Sequence, residues 1–148
     1  MSRSARSRIL WGAILVLALV LRVGAALVWQ ARLADEQAFA FPDSDSYWEL
    51  SALLANGAPY EFANSRAFRA PGYPLALSPL FVVSGDQPHV MAARILGAVL
   101  GTVVVLGVGC LAWKLFDERA GLIAALLCAL YPGAIAMSIL VLSEALFC

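Results

Sequence analysis

Charge is scarce in this chain of 148 residues, because Asp, Glu, Lys and Arg together make up 14% of it and the formal net charge is zero. Such a chain has no overall field to attract nucleic acid, and it shows no basic groove interleaved with aromatic residues on which bases could stack. Apolar residues, in contrast, make up 62% of the sequence, and the mean hydropathy is +0.84. These values lie outside the range of soluble globular proteins and predict an integral membrane protein.

The residues and motifs that mark several common classes of site are also missing. His89 is the single histidine, and one histidine cannot build a zinc site of the usual kind. The three cysteines, Cys110, Cys128 and Cys148, stand in apolar stretches without metal-ligand spacing, and we interpret them as small buried hydrophobic residues. The sequence has no phosphate-binding P-loop, no G-x-S-x-G elbow and no C-x-x-C pair.

Long apolar runs predict an all-α, polytopic fold within one transmembrane domain covering residues 1–148. Three runs have about the length that a bilayer core requires, and they cover residues 9–30, 90–116 and 120–140. Tyr131-Pro132-Gly133 interrupts the third run. Arg3, Arg6 and Arg8 precede the first run, so the positive-inside rule places the N-terminus in the cytoplasm. A cleaved signal peptide is the competing interpretation of the first run.

Residues 31–88 are predicted to form an outer loop that carries interfacial helices. Ser46 and Glu49 have the spacing of a capping box, and Gly57 follows as a stop, which predicts a short helix over residues 46–56. Residues 72–84 are apolar but too few for a span, so they fit an interfacial or re-entrant helix. If they do not cross, the turn at 114–119 is cytoplasmic and Glu144 returns to the outer side. If they cross, both assignments reverse. The first arrangement is favoured.

Clustered carboxylates beside hydrocarbon are costly and tend to mark a working site. Asp43 could take a proton from a hydroxyl nucleophile, or could simply shape the turn after Pro42. Asp45 could cap the short helix or complement its dipole, or it could share a metal or the acceptor with Asp43. Glu144 begins a further helix, from about residue 143, and could either serve the site or cap that helix at the membrane surface. The sequence cuts this helix off, so we expect the chain to be the N-terminal part of a longer polypeptide.

Arginines near the outer surface are candidates for binding phosphate. A guanidinium can hold a phosphate bidentately, which makes Arg66 and Arg69 candidate substrate contacts, although either could instead bind ordinary lipid headgroups. Arg22 lies inside the first span, about eight residues from its outer end. It could extend its side chain to the interface, pair with an acid of the outer loop or contact a phosphate.

The order of these motifs resembles the start of a GT-C class membrane glycosyltransferase, in the branch of the protein mannosyltransferases and the aminoarabinose transferases of lipid A. The resemblance covers nearly the whole chain. The first outer loop of that family carries an acidic motif, often Asp-Glu-x-x-Tyr or Asp-Ser-x-x-Tyr, and Asp43-Ser-Asp-Ser-Tyr47 matches the second form. The other matching stretches are Asn56-Gly57, Arg69-Ala-Pro-Gly-Tyr-Pro74 and Leu142-Ser-Glu144.

The resemblance implies hexosyl or pentosyl transfer from a polyprenyl-phosphate sugar to a lipid, glycan or protein acceptor. The enzyme would lie in the bacterial inner membrane, with the acidic loop on the extracytoplasmic face. Asp43 would be the general base, with Asp45 and Glu144 as supporting acids. The residues that would bind substrate are Tyr47, Arg66, Arg69 and Tyr73. No residue is assigned to a metal, and a divalent ion is allowed but not required, since Ser44 stands where the family often has a second acid.

Two other functions fit parts of the sequence. A transporter fragment would account for Arg22 and Glu144 within apolar stretches and for the broken third span. A non-catalytic membrane assembly protein would need no working carboxylate at all.

Overall fold

The computed structural model describes residues 3–33, 39, 41–62, 65–66, 69–84 and 88–142, and for residues 3, 4, 42 and 66 it describes the main chain alone. Within these ranges the chain forms six helices: α1 (Arg3–Arg32), α2 (Pro42–Ala55), α3 (Gly72–Ser84), α4 (Val90–Leu115), α5 (Glu118–Leu130) and α6 (Pro132–Ile139). The predicted helical fold is confirmed. The described chain also forms an antiparallel pair of two-residue strands, β1 (Glu61–Phe62) and β2 (Ser65–Arg66), which the sequence pattern did not predict.

Two helices, α1 and α4, are long and apolar enough to cross a membrane. The apolar part of α1 has 28 residues and α4 has 26, and helices of that length exceed a hydrocarbon core of about 30 Å. Large apolar side chains on both helices are exposed, as expected where a helix faces lipid. They include Val16, Val20, Val103 and Leu111.

The predicted interruption of the third apolar run is confirmed. Helices α5 and α6 meet at Tyr131 with a bend of 59°, and together they make a third candidate span if the bent pair is counted as one. Pro132 is the first residue of α6. Proline lacks an N–H and disfavours helical backbone in the residue before it, so α5 ends at Leu130.

The two long helices run antiparallel. At one end the Ser7 hydroxyl donates a hydrogen bond to the Glu118 carboxylate, and the rings of Trp11 and Trp113 lie 6.1 Å apart. At the other end Arg94 donates to the side chain of Gln30. The segment between α1 and α4 therefore leaves and rejoins this pair at the same end, which is the arrangement expected if residues 72–84 do not cross.

Small residues allow α4 to pack closely against its neighbours. A Cβ at Gly97 would stand 2.2 Å from the main-chain oxygen of Ser138 in α6, and one at Gly109 would stand 2.6 Å from the Trp11 ring. Glycine at both positions lets the helices approach at distances that a side chain would prevent. Close packing of this kind fixes the position of α6 on α4.

Helices α2 and α3 pack together at the N-terminal end of α4. Their shared core contains Tyr47 of α2 and Tyr73 of α3 against Val90 and Ala93 of α4, and Val141, just after α6, joins the same cluster. Helix α3 has the predicted bounds and 13 residues. The α2–α3 pair therefore packs against the start of α4 and the residues that follow α6.

The predicted start of α2 at Ser46 is wrong, because the helix begins at Pro42. Proline is favoured in the first turn, where its missing N–H has no partner in any case. Ser46 therefore lies inside the helix, and its hydroxyl donates to the Asp43 carbonyl at 2.7 Å instead of capping. The stop at Gly57 is confirmed, since this residue has a φ of 65° and closes the helix with a hydrogen bond from its N–H to Leu54.

Candidate functional site

An ion pair joins the first turn of α2 to the segment before α3. Arg69 Nη2 donates to Asp43 Oδ1, across 26 residues of sequence. The Asp43 side chain is 55% exposed and the Arg69 side chain 25%. The two residues that the sequence suggested as base and phosphate contact are therefore direct partners, with the carboxylate on the more open side.

Two tyrosine rings pack beneath this ion pair. The Arg69 guanidinium lies over the Tyr47 ring, 5.3 Å from its centroid, in a cation–π arrangement. The Tyr73 ring meets Tyr47 edge-on, with centroids 5.3 Å apart and an interplanar angle of 85°. Tyr47 is 6% exposed and Tyr73 only 1%. Both predicted substrate-binding tyrosines thus lie at the site, but they support Arg69 from below.

Tyr60, a residue that the sequence motifs did not single out for the site, holds the main chain at Arg69. Its hydroxyl donates to the Arg69 carbonyl at 2.9 Å. Burial, with a smaller contribution from Tyr47, raises the pKa of Tyr60 above its ordinary value, so the hydroxyl keeps its proton. The sequence signal that could have indicated a role for Tyr60 is its position as an aromatic residue directly after Pro59, within the polar segment.

The described structure shows no contact between the ion pair and the other predicted site residues, Asp45, Arg66 and Glu144. Asp45 lies exposed in the first turn of α2, where a carboxylate complements the helix dipole; it is not the cap, a position that Phe41 occupies. The main chain of Arg66 lies in β2 opposite Glu61, and its side chain is outside the described atoms. Glu144 and the helix predicted from residue 143 lie outside the described residues.

The described part of the chain contains no cluster of metal-ligating side chains. Within the described ranges no three His, Cys, Asp or Glu side chains come together as ligands. The carboxylate of Asp43 instead forms an ion pair with Arg69.

Of the cysteines, Cys110 and Cys128 are unbridged thiols within helices, and Cys148 is outside the described chain. His89 caps α4, where its Nδ1 accepts from the Met91 N–H at 3.1 Å.

Arg22 is deeply buried in α1, with 1% of its surface exposed. Its Nη1 donates back to the Ala18 carbonyl at 3.2 Å, and its Nε has no hydrogen-bond partner among the described atoms. The side chain lies against Gly101 of α4, beside Ser138 of α6. Of the three alternatives that the sequence left open for Arg22, extension to the outer interface is contradicted, because the side chain is buried and turns toward the preceding turn of its own helix. No acid is paired with it in the described part of the chain.

No protein-family model matches this chain, and neither the curated proteins nor the solved structures provide a match. The resemblance to GT-C glycosyltransferases therefore depends on the sequence motifs alone. What the geometry adds is the position of four residues from two of those motifs, Asp43, Tyr47, Arg69 and Tyr73, in one cluster.

Proposed function

We propose that the chain belongs to a membrane glycosyltransferase that moves a sugar from a polyprenyl-phosphate donor to an acceptor. The observation that supports this most is the ion pair of Asp43 and Arg69, which combines a half-exposed carboxylate with a guanidinium at one end of the long apolar helices. A general base and an anchor for a phosphate are the two groups that such a transfer needs at its centre.

Asp43 and Arg69 have complementary roles in the proposed reaction. The acceptor oxygen forms a bond to the anomeric carbon while the bond from that carbon to the phosphate oxygen breaks. Asp43 takes the proton that the acceptor hydroxyl loses, and the leaving group is the polyprenyl phosphate. The Arg69 guanidinium balances the charge of that phosphate and holds its oxygens in the plane of its N–H groups. Tyr47 and Tyr60 keep the arginine in place.

The proposed site faces the extracytoplasmic side of a bacterial inner membrane. The basic N-terminus, with Arg6 and Arg8, favours the cytoplasm for the start of α1. The Arg94–Gln30 contact and the α2–α3 pair lie at the opposite end of α1. Exposed Val82 and Val83 give α3 an apolar surface suited to the headgroup boundary. A lipid-linked donor would reach the ion pair from that boundary.

One observation favours a transporter as the second candidate. A buried arginine with an unpartnered Nε among the described atoms, in a helix packed against the broken α5–α6 pair, is typical of a substrate or ion path. This candidate makes no use of the Asp43 carboxylate. A non-catalytic assembly protein makes no use of it either, so one variant separates the proposed enzyme from both alternatives.

The test compares sugar transfer by the wild type and by Asp43→Asn, using the full-length protein in its native membrane. The measured quantity is label passing from a polyprenyl-phosphate sugar pool to acceptor, at equal protein level. We expect transfer to fall at least a hundredfold in Asp43→Asn, as for loss of a general base. Glu49→Gln is the matched control, because Glu49 is an exposed carboxylate on the same helix. Equal transfer by both variants, or none by the wild type, would rule out the proposed role.

A further inference from the structure

We infer that Asp43 occupies the phosphate position on Arg69 until donor binds, and that the donor phosphate displaces it. The inference deepens the proposed function and rests on it. In the structure the carboxylate of Asp43 is the partner of Arg69 Nη2. Donor binding and release of the Asp43 carboxylate are then one event at one guanidinium.

The arginine is the fixed member of the pair. Its guanidinium rests on the Tyr47 ring, its carbonyl accepts from Tyr60, and three quarters of its side-chain surface is covered. Asp43, in contrast, stands in the first turn of α2 with more than half of its side chain exposed. A rotation about the Asp43 side-chain bonds is therefore enough to break the contact. Movement of Arg69, in contrast, would disturb its packing on the Tyr47 ring.

The chemistry of the two anions makes them competitors. A phosphodiester presents one negative charge on two unesterified oxygens, and a carboxylate presents the same charge on two oxygens. A guanidinium binds either group through the same pair of parallel N–H donors. Both anions cannot occupy the same N–H groups, so a donor phosphate on that edge of Arg69 leaves the Asp43 oxygens without their cation. These oxygens then face solvent and are available to the acceptor hydroxyl.

The strength of the pair allows this exchange. An ion pair as exposed as this one biases an equilibrium by about fivefold at most. Asp43 would therefore lower donor affinity by no more than about that factor, so exchange is easy for a lipid-linked donor that also gains contacts along its chain. A buried pair would have resisted displacement, because each charge would have been left without water.

The test measures binding of farnesyl methyl phosphate, a phosphodiester without a sugar, to the full-length protein in lipid nanodiscs. Removing the competing carboxylate in Asp43→Asn should tighten binding by about two- to fivefold. Glu49→Gln removes the same charge from the same helix and should change the affinity less than Asp43→Asn does. Arg69→Gln should weaken binding by about tenfold or more. Asp43→Ser provides a second variant, with the same expectation, if the asparagine variant accumulates poorly.

Three results would each overturn the exchange. The first is equal affinity of Asp43→Asn and Glu49→Gln for the probe, the second is weaker binding by Asp43→Asn than by the wild type, and the third is unchanged binding by Arg69→Gln. The probe carries no sugar, so this result does not depend on the transfer assay. Transfer by the wild type together with equal affinities would reject the exchange and leave the glycosyltransferase proposal standing. Tighter binding by Asp43→Asn with no transfer by the wild type would support the exchange at an anion site and reject the proposed reaction.

Discussion

Replacing Gly97 by alanine should separate α6 from α4, whereas the same replacement at Gly107 should not. Both glycines lie in α4, so both substitutions gain the same helix propensity, about 1 kcal/mol. At Gly107 no atom lies within 4 Å of the new Cβ. At Gly97 the new Cβ would stand 2.2 Å from the Ser138 oxygen, which belongs to the main chain and cannot rotate away.

The size of the effect follows from this distance. Ordinary contact between nonbonded atoms needs about 3.5 Å, so α6 must move by about 1 Å at Ser138. Forcing an extra carbon into a packed interface costs about 1–3 kcal/mol. Helix propensity cancels between the two variants, so this cost is the expected difference in their free energies of unfolding.

The measurement is equilibrium unfolding in detergent micelles by increasing dodecyl sulfate, followed by circular dichroism. Gly107→Ala should be as stable as the wild type or more stable, and Gly97→Ala should be less stable than Gly107→Ala by about 1–3 kcal/mol. If the two variants unfold at the same detergent ratio, then α6 does not approach α4 as closely as described, and the reasoning from the Gly97–Ser138 contact is refuted.

Two further predictions concern one buried and one partly buried polar side chain. Arg22→Met puts a shorter, uncharged and flexible side chain in place of a buried guanidinium whose Nε has no described partner, so the unfolding temperature should rise or stay unchanged. A clear fall would contradict this expectation. Tyr60→Phe removes the hydrogen bond to Arg69 and should cost about 1 kcal/mol of stability at neutral pH. Because the pKa of Tyr60 is raised in the fold, its stabilising effect is complete below about pH 10 and is lost as the pH rises through the folded value. The unfolding temperatures of the wild type and Tyr60→Phe should therefore converge as the pH rises above the ordinary range of a tyrosine, and a difference that does not shrink with rising pH would contradict the assignment.

The sequence alone predicted the helices whose signals are local. Apolar length set α1, α4 and the bounds of α3, and Pro132 set the break between α5 and α6, because a proline acts on its own turn of backbone. The start of α2 was missed by four residues, since Ser46 and Glu49 fit a capping box as well as they fit a helix interior. The two-residue strands were missed because a run that short has no periodicity to detect.

For the candidate site, sequence motifs suggested Asp43, Tyr47, Arg69 and Tyr73 as individual residues, because carboxylate, guanidinium and aromatic groups have recognisable chemistry wherever they stand. Only the tertiary structure decided that Asp43 and Arg69 are partners, that the tyrosines lie beneath them and that Tyr60 holds the arginine main chain. The same is true of Arg22, whose span was evident but whose burial was not. The physical reason is that local propensity and hydropathy act within a few residues, whereas contacts across 26 residues depend on how helices pack.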